Sequence, residues 1–421
     1  MLNQYNVTGY VEYVNGILCV NDIPYTEIIS ERSSPTICTS LDRVKSNIVT
    51  IKKNLETVNC DIYYAIKASY EKRVVETILD TNIGVEVISE YEWLLAKKAG
   101  FLPENVVMNG LGRTGDELMQ VLNSGAIVNI DSLSELKKLK SYKDQFHTAH
   151  TKIGLRVNPQ FDGEGNFVKR DGKLGMNYEE AAECIVFAQE IGLQVQGFSF
   201  HIFSNQTEYK TYDEPVRSLV EFIKEAEKRF SIVCKYVDMG GGIAPRMFFE
   251  DDAALESLVT HITSLFKDNG IKAPHILFEP GRYVVADANI IFSRIKTIKK
   301  NAGGTWAVLD IGTNYLIPAL GSNYKVVPCK RDDVSSTHEK VSFVDGICSP
   351  AGHICESSMK VEEGQYVAVL NCGAYTSVMR EEFVYGTPRH VCIENSKVAS
   401  VKEKVSAECF AAYHGWDKKT P

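Results

Sequence analysis

Residues 61–108 read DIYYAIKASYEKRVVETILDTNIGVEVISEYEWLLAKKAGFLPENVVM, and their alternation decides the architecture. Three β-rich apolar runs, Asp61–Ile66, Gly84–Ile88 and Asn105–Met108, are separated by stretches such as Glu90–Lys98, whose apolar residues recur at three-to-four spacing. The same alternation continues through Ala126–Ile130, Lys152–Val157, Gly197–His201, Tyr236–Met239 and His275–Glu279. Helical stretches fall at Thr114–Asn123, Glu179–Ile191, Val216–Arg229 and Ala253–Asp268. Parallel strands need a crossover, usually a helix, so eight such runs predict an α/β fold, a (β/α)8 TIM-like barrel. An open, doubly wound sheet is the competing arrangement of the same elements.

Outside this region the texture changes. Beyond Asp287 come β-rich runs without long helices, Trp306–Asp310, Lys340–Asp345, Gln365–Leu370 and His390–Ile393, which predict a C-terminal β domain. At the other end, Tyr10–Tyr13 and Ile17–Cys19 flank Asn15-Gly16, a hairpin turn signal. The expected organisation is an N-terminal segment, 1–35, packing with the β domain, a barrel over 36–285 and the β domain over 286–421. With 421 residues, 44% of them hydrophobic, the chain can fill two cores.

A net charge of −8 leaves no basic footprint for nucleic acid or an anionic membrane. The first twenty residues lack a basic start and an apolar core, and no later stretch approaches the ~20 apolar residues that span a bilayer. A cytoplasmic protein with a small-molecule ligand is expected. The eleven cysteines form no CxxC pair and no Cys/His cluster at zinc-ligand spacing, so they read as reduced thiols, and no metal is expected.

Chemistry in such a barrel belongs at the C-terminal ends of its strands. The first run ends at Lys67, the second carries Glu86, the sixth ends at His201 with Ser204 behind it, the seventh at Gly240-Gly241-Gly242, and the eighth at Glu279-Pro280-Gly281-Arg282. Singly, each has a plain structural explanation: a lysine that snorkels to solvent, a hydrogen-bonded core histidine, a tight glycine turn. Together they specify more. Backbone N–H groups freed by the glycines after the last two strands make a phosphate site. Glu279 can hold a proton on a ring nitrogen, His201 can stack on a ring face, and Lys67 can supply an amine for an imine. Those are the requirements of pyridoxal 5′-phosphate.

These residues, with LRVNP at 155–159, KLGM at 173–176, HIFS at 201–204, CES at 355–357 and GAY at 373–375, make the chain similar to the alanine-racemase-fold (fold type III) decarboxylases. The diaminopimelate and ornithine decarboxylase group is the nearest match, over nearly the whole length. The resemblance implies an amino-acid decarboxylase in which Lys67 forms the imine, His201 stacks on the pyridine ring and Glu279 pairs with its nitrogen. Ser204, Gly242, Gly281, Arg282 and Tyr375 would bind the phosphate, Gly241 would also belong to the cofactor site, and Glu86 would lie near the imine end. Cys355, as proton donor, and Glu356, a substrate contact with Arg282, would enter the partner subunit's site, implying a head-to-tail homodimer with shared active sites.

Several positions depart from the family. Phe203 replaces a glycine, which predicts an altered approach of its loop to the cofactor, and Met359 replaces the Asp that ends CESGD. Residues 317–321 read IPALG where diaminopimelate decarboxylases typically read RPxLY, so Ile317 and Gly321 replace an arginine and a tyrosine that help grip that substrate. A specialised biosynthetic pathway is expected, with a free, conjugated or carrier-linked amino acid other than free diaminopimelate as substrate. A non-catalytic relative with a binding or regulatory role is the alternative, against which the retained Lys67 and Cys355 argue. A racemase would need a base on each face of its substrate, and no tyrosine stands out as the second.

Overall fold

The structure, a computed structural model, describes residues 9–30, 33–146, 151–159, 169–170, 172–246, 253–272, 274–317, 324–331, 339–350 and 352–416. Two compact units divide the chain: Ser46–Val284 form one, and Met1–Lys45 together with Val285–Pro421 form the other.

The first unit is a barrel. Its strands are Cys60–Ala65, Gly84–Val87, Val106–Met108, Ile127–Ile130, Lys152–Arg156, Val195–Ser199, Tyr236–Asp238 and His275–Phe278. They pair in parallel in chain order, and the last returns to the first, with Ile276, Leu277 and Phe278 opposite Cys60, Asp61 and Ile62. This closure rules out the open sheet. Helices intervene at Lys72–Leu79, Glu90–Ala99, Gly115–Leu122, Leu133–Leu139, Tyr178–Glu190, Asp213–Phe230 and Ala253–Asp268. Local chemistry sets several of their starts. Ser89, Thr114, Ser132 and Asn177 each accept a hydrogen bond from the N–H three residues on, and Thr114 with Glu117 and Asn177 with Glu180 form reciprocal capping boxes.

Side chains fill the barrel. Tyr63, Val107, Ile127, Tyr236 and Leu277 form an inner cluster. The two rings fit because the paired residue on the neighbouring strand is glycine: a Cβ on Gly84 would run into the Tyr63 ring, and one on Gly197 would stand 2.5 Å from the Tyr236 ring. The Tyr236 hydroxyl points on to Asn129, where the interior turns polar.

The second unit is built on the long strand Asn289–Asn301, which pairs with Thr36–Ser40 and Tyr366–Leu370 over its first half and Gly304–Leu309 over its second. The sheet continues through Glu339–Asp345 to the edge strand His353–Met359, and in the other direction through Arg389–Glu394 to Lys397–Lys402. A hairpin, Val11–Val14 and Ile17–Val20, turns at Asn15 and Gly16, both at positive φ as a type I′ turn requires. Val11, Leu18, Val20 and Ile28 bury in one cluster with Ile290, Phe292 and Val391. Among the described residues, no helix is long and apolar enough to cross a membrane, and no group of His, Cys, Asp or Glu side chains is placed to hold a metal ion.

Gly197→Ala would force its methyl group into the Tyr236 ring. A loss of about 1–3 kcal/mol in stability is expected, typical of an overfilled core, and read as a lower Tm. An unchanged Tm would show that the inner ring layer has room to spare.

Candidate active site

The C-terminal ends of the barrel strands turn from apolar to polar within a residue or two, and the site is assembled there. Lys67 sits in a single 3-10 turn, Ile66–Ala68, directly after the first strand. The Tyr64 hydroxyl donates to the Ser69 carbonyl at 2.9 Å and pins that turn. The loop after the eighth strand passes against it at Gly281, where a Cβ would lie 2.9 Å from that of Ala68 and 3.2 Å from that of Ala65. The Lys67 ammonium pairs with Glu86, which leaves the second strand with no exposed surface (0%). A carboxylate so buried needs a cation or strong donors.

Glu86 is one of three such carboxylates. Asp238 ends the seventh strand at 0% exposure, and Glu279 follows the eighth at 5%. Neutral amides tie them together. Asn109 donates to Glu279 Oε1 at 2.6 Å and to Glu86 Oε1 at 3.3 Å. Asn129 donates to Asn109 Oδ1 at 3.0 Å and to Asp238 Oδ2 at 2.9 Å, and its own oxygen accepts from Tyr236 at 3.0 Å. The Gly240 N–H donates to Asp238 Oδ1 at 2.9 Å. Burial, then the charges of Asp238 and Glu86, push Glu279 well above the usual carboxylate range, and burial lifts Asp238 to about 6. Three carboxylates around the Lys67 ammonium leave the cluster anionic, an environment that a protonated ring nitrogen would complete.

His201 follows the sixth strand, and its Nδ1 accepts the Gly241 N–H at 3.1 Å, so the neutral ring carries its proton on Nε2. Burial, then the charges of Arg156 and Lys67, lower its pKa to about 3. The three glycines after the seventh strand are required by close backbone approach. A Cβ would lie 2.7 Å from the Phe200 carbonyl oxygen at Gly240, 2.6 Å from that of Glu279 at Gly241, and 2.6 Å from that of Phe203 at Gly242. Gly240 and Gly242 also hold φ of +66° and +98°. The Gln206 N–H donates to the Gly242 carbonyl at 2.8 Å and binds this turn to the loop that carries Ser204. The Phe203 ring is buried edge-on to Tyr212, centroids 4.8 Å apart, so its carbonyl rather than its ring faces Gly242. Arg282 is buried at the start of the short helix Arg282–Val285.

Lys67, Glu86, His201, Gly241, Glu279 and Gly281 are thus linked by direct contacts or close approaches. The sequence reading did not single out Asn109, Asn129 and Asp238, although all three lie at strand ends, where the rule that found Lys67 applies. Nor did it single out Arg113, which is buried, pairs with Glu135 through Nε at 3.0 Å and Nη2 at 2.8 Å, and donates to the Asn129 carbonyl at 2.7 Å. That pair fixes where Asn109 and Asn129 leave their strands.

The remaining expected residues belong to the other unit. Cys355 is half-buried on His353–Met359, and burial lifts its thiol to about 11, so it is neutral at physiological pH. Glu356 is exposed and pairs with Lys340 at 2.7 Å, which lowers its carboxyl pKa. Met359 is wholly buried in the β core. Tyr375 follows Gly373, where the backbone presses on Val285 so closely that no Cβ fits. The Ile317 carbonyl accepts from the Tyr324 hydroxyl at 3.0 Å, and Gly321 lies outside the described residues.

Residues 41–286 match the family model described as "Pyridoxal-dependent decarboxylase, pyridoxal binding domain". Among curated relatives, the diaminopimelate decarboxylases of Aquifex aeolicus and Methanothermobacter thermautotrophicus are 28% and 26% identical, covering 96% and 92% of this chain and 96% and 93% of their own. Among solved structures, diaminopimelate decarboxylase from M. jannaschii in co-complex with L-lysine has a TM-score of 0.86 at 23% identity, with 99% of each chain covered. Lysine/ornithine decarboxylase from Vibrio vulnificus complexed with cadaverine scores 0.74 at 20% identity, with 87% and 96% covered.

The lowered His201 pKa makes a spectroscopic prediction. Its ring resonances should stay constant through the window around 6.5 in which an ordinary histidine titrates, and a midpoint there in a pH series of NMR spectra would contradict the burial argument.

Proposed function

The chain belongs to the pyridoxal-dependent decarboxylases, and from that membership we propose that it acts, as a homodimer with shared active sites, on an amino acid other than free diaminopimelate. It is a pyridoxal phosphate-dependent carboxy-lyase with an amino-acid substrate. The observation that carries the site assignment is the chain of contacts from Lys67 through Glu86 and Asn109 to Glu279, which ties the amine and the buried acid into one cluster.

When bound, pyridoxal phosphate supplies an electron sink for the electron pair left as carbon dioxide departs. Lys67 would offer the amine for the cofactor's carbonyl carbon, with Glu86 beside it as its ion-pair partner. Glu279 would hold a proton at the ring nitrogen, and His201 would cover a ring face as a neutral imidazole, adding no charge of its own. The N–H groups of Gly242 and Gly281, with Ser204, Arg282 and Tyr375, would bind the phosphate, while the Gly241 N–H holds His201. Cys355, a neutral thiol, would be the proton donor to the substrate carbon. Glu356 and Arg282 contact the substrate. Free cysteines throughout the chain support a reducing, cytoplasmic setting.

The relatives' names point to diaminopimelate, and the substitution at Ile317 points away from it. A distal carboxylate near the cofactor needs a cation, and arginine's planar fork suits both its oxygens. An isoleucine offers none. The lost charge-assisted contact is worth about 1.5–3 kcal/mol, or roughly ten- to a hundredfold in affinity. Glu356 is retained, and because an exposed ion pair such as Lys340–Glu356 is weak, a distal amine on the substrate can displace Lys340. A specialised biosynthetic route using a free, conjugated or carrier-linked amino acid fits this pattern.

Two measurements test the reading. Lys67→Ala and Cys355→Ala proteins, each impaired alone, should regain on the order of a quarter of wild-type activity on mixing, since random exchange of a two-fold dimer leaves half the dimers with one whole site. No recovery after verified exchange would mean that each site is built within one chain. In a comparison of kcat/KM across diaminopimelate, lysine, ornithine and conjugated amino acids, diaminopimelate should rank low. If it ranked first, the argument from Ile317 would be wrong.

A further inference from the structure

Asp238 has no place in the chemistry described above, yet it is buried to 0% exposure among groups that do. It ends the strand next to the one that leads into Glu279, and the Glu279 N–H donates to the carbonyl of Gly240, two residues beyond it. The two buried carboxyl groups stand at adjoining strand ends, and the amides of Asn129 and Asn109 join Asp238 Oδ2 to Glu279 Oε1. Two carboxyl groups buried this close resist ionising together, which favours one proton between them. The donors around Asp238, Asn129 and the Gly240 N–H, are neutral. Lys67, the cation of the cluster, pairs with Glu86 instead. The other charged or titratable groups that act on the pair, among the described residues, are Glu86, Arg156, Tyr63 and Tyr236.

Building on the reading that Glu279 meets the ring nitrogen, we propose that Asp238 and Glu279 form a dyad holding a single proton in the cofactor-free protein, and that Glu279 gives this proton to the ring nitrogen on loading. The Glu279 O–H bond breaks, an N–H bond forms at the ring nitrogen, and that N–H donates back to the ionised Glu279. Asp238 stays ionised throughout, held by Asn129 and Gly240. Where the ring arrives already protonated, the dyad proton leaves to solvent and the final state is the same. Asp238 is thus a positioning residue: it acts on the ring through Glu279. The upward shifts of both carboxyl groups agree with a shared proton, because two adjacent buried carboxylates resist ionising together.

Infrared spectroscopy of the cofactor-free wild-type protein should show a buried protonated carboxyl band that is absent in Asp238→Asn and in Glu279→Gln. Loading the wild type with pyridoxal phosphate should remove that band. Calorimetry in buffers of different ionisation enthalpy should show the wild type taking up about one proton fewer per cofactor bound than Asp238→Asn, as linkage requires. No such band in the cofactor-free wild type, a band that survives loading, or equal proton counts would each overturn the proposal, and the first two need no variant to fold. With 15N-labelled cofactor, the ring nitrogen should lose its proton in Glu279→Gln. A ring that keeps it would overturn the transfer by removing Glu279 from the ring, and the band in the cofactor-free protein would show separately whether the dyad exists.

Discussion

Pairing of His275–Phe278 with Cys60–Ile62 closes the barrel, and the site depends on that closure. Lys67 and Glu279 lie at opposite ends of the barrel's sequence, and only a sheet that returns to its first strand brings Gly281 against Ala65 and Ala68. The same closure lets one amide, that of Asn109, reach Glu86 and Glu279 together. An open sheet with the same elements would leave the first and last strands at its edges and their polar ends without one another.

The interior shows how a barrel can be both packed and polar. Its lower part is filled by Tyr63 and Tyr236, whose rings take space that paired glycines on the neighbouring strands leave open. Above that layer come Asn129, Asn109 and the three carboxylates. Low polarity strengthens hydrogen bonds and makes unpaired groups unfavourable, so a network placed there must be satisfied nearly atom by atom. The alternation of amide and carboxylate achieves this: each amide nitrogen donates, and each bonded oxygen accepts. Arg113 and Glu135 hold the strand ends that carry the amides.

Charge is what such an interior controls best. Burial keeps His201 neutral and Cys355 protonated, while Glu279 and Asp238 are pushed toward retaining a proton. A neutral imidazole and a neutral thiol suit a cofactor whose working charge is meant to reside on its ring. The departures from the family pattern differ in kind. Phe203 turns its ring into the core and Met359 is absorbed by the β core, whereas Ile317 stands where diaminopimelate decarboxylases typically carry an arginine. An apolar replacement can repack, but it cannot neutralise a carboxylate.

The sequence by itself determined the alternation of eight strands with helices, because apolar runs and three-to-four spacing are local patterns. It also determined that Lys67, His201 and Glu279 stand at strand ends, since a strand's last residue is marked by where its apolar run stops, and that Glu86 interrupts the second run. Short elements were less legible: Lys72–Leu79 and Leu133–Leu139 span barely two helical turns, too few for a period to emerge. Thr36–Ser40 is buried along its whole length, so it lacks the alternation that marks a half-exposed strand. What only the tertiary structure decided was partnership. Asn109 meets Glu279 across 170 positions, and Asn129 meets Asp238 across 109. No local pattern encodes those distances, because a hydrogen bond depends on where closure of the barrel puts two atoms, and an asparagine at a strand end looks the same in the sequence whether it faces solvent or joins two buried acids.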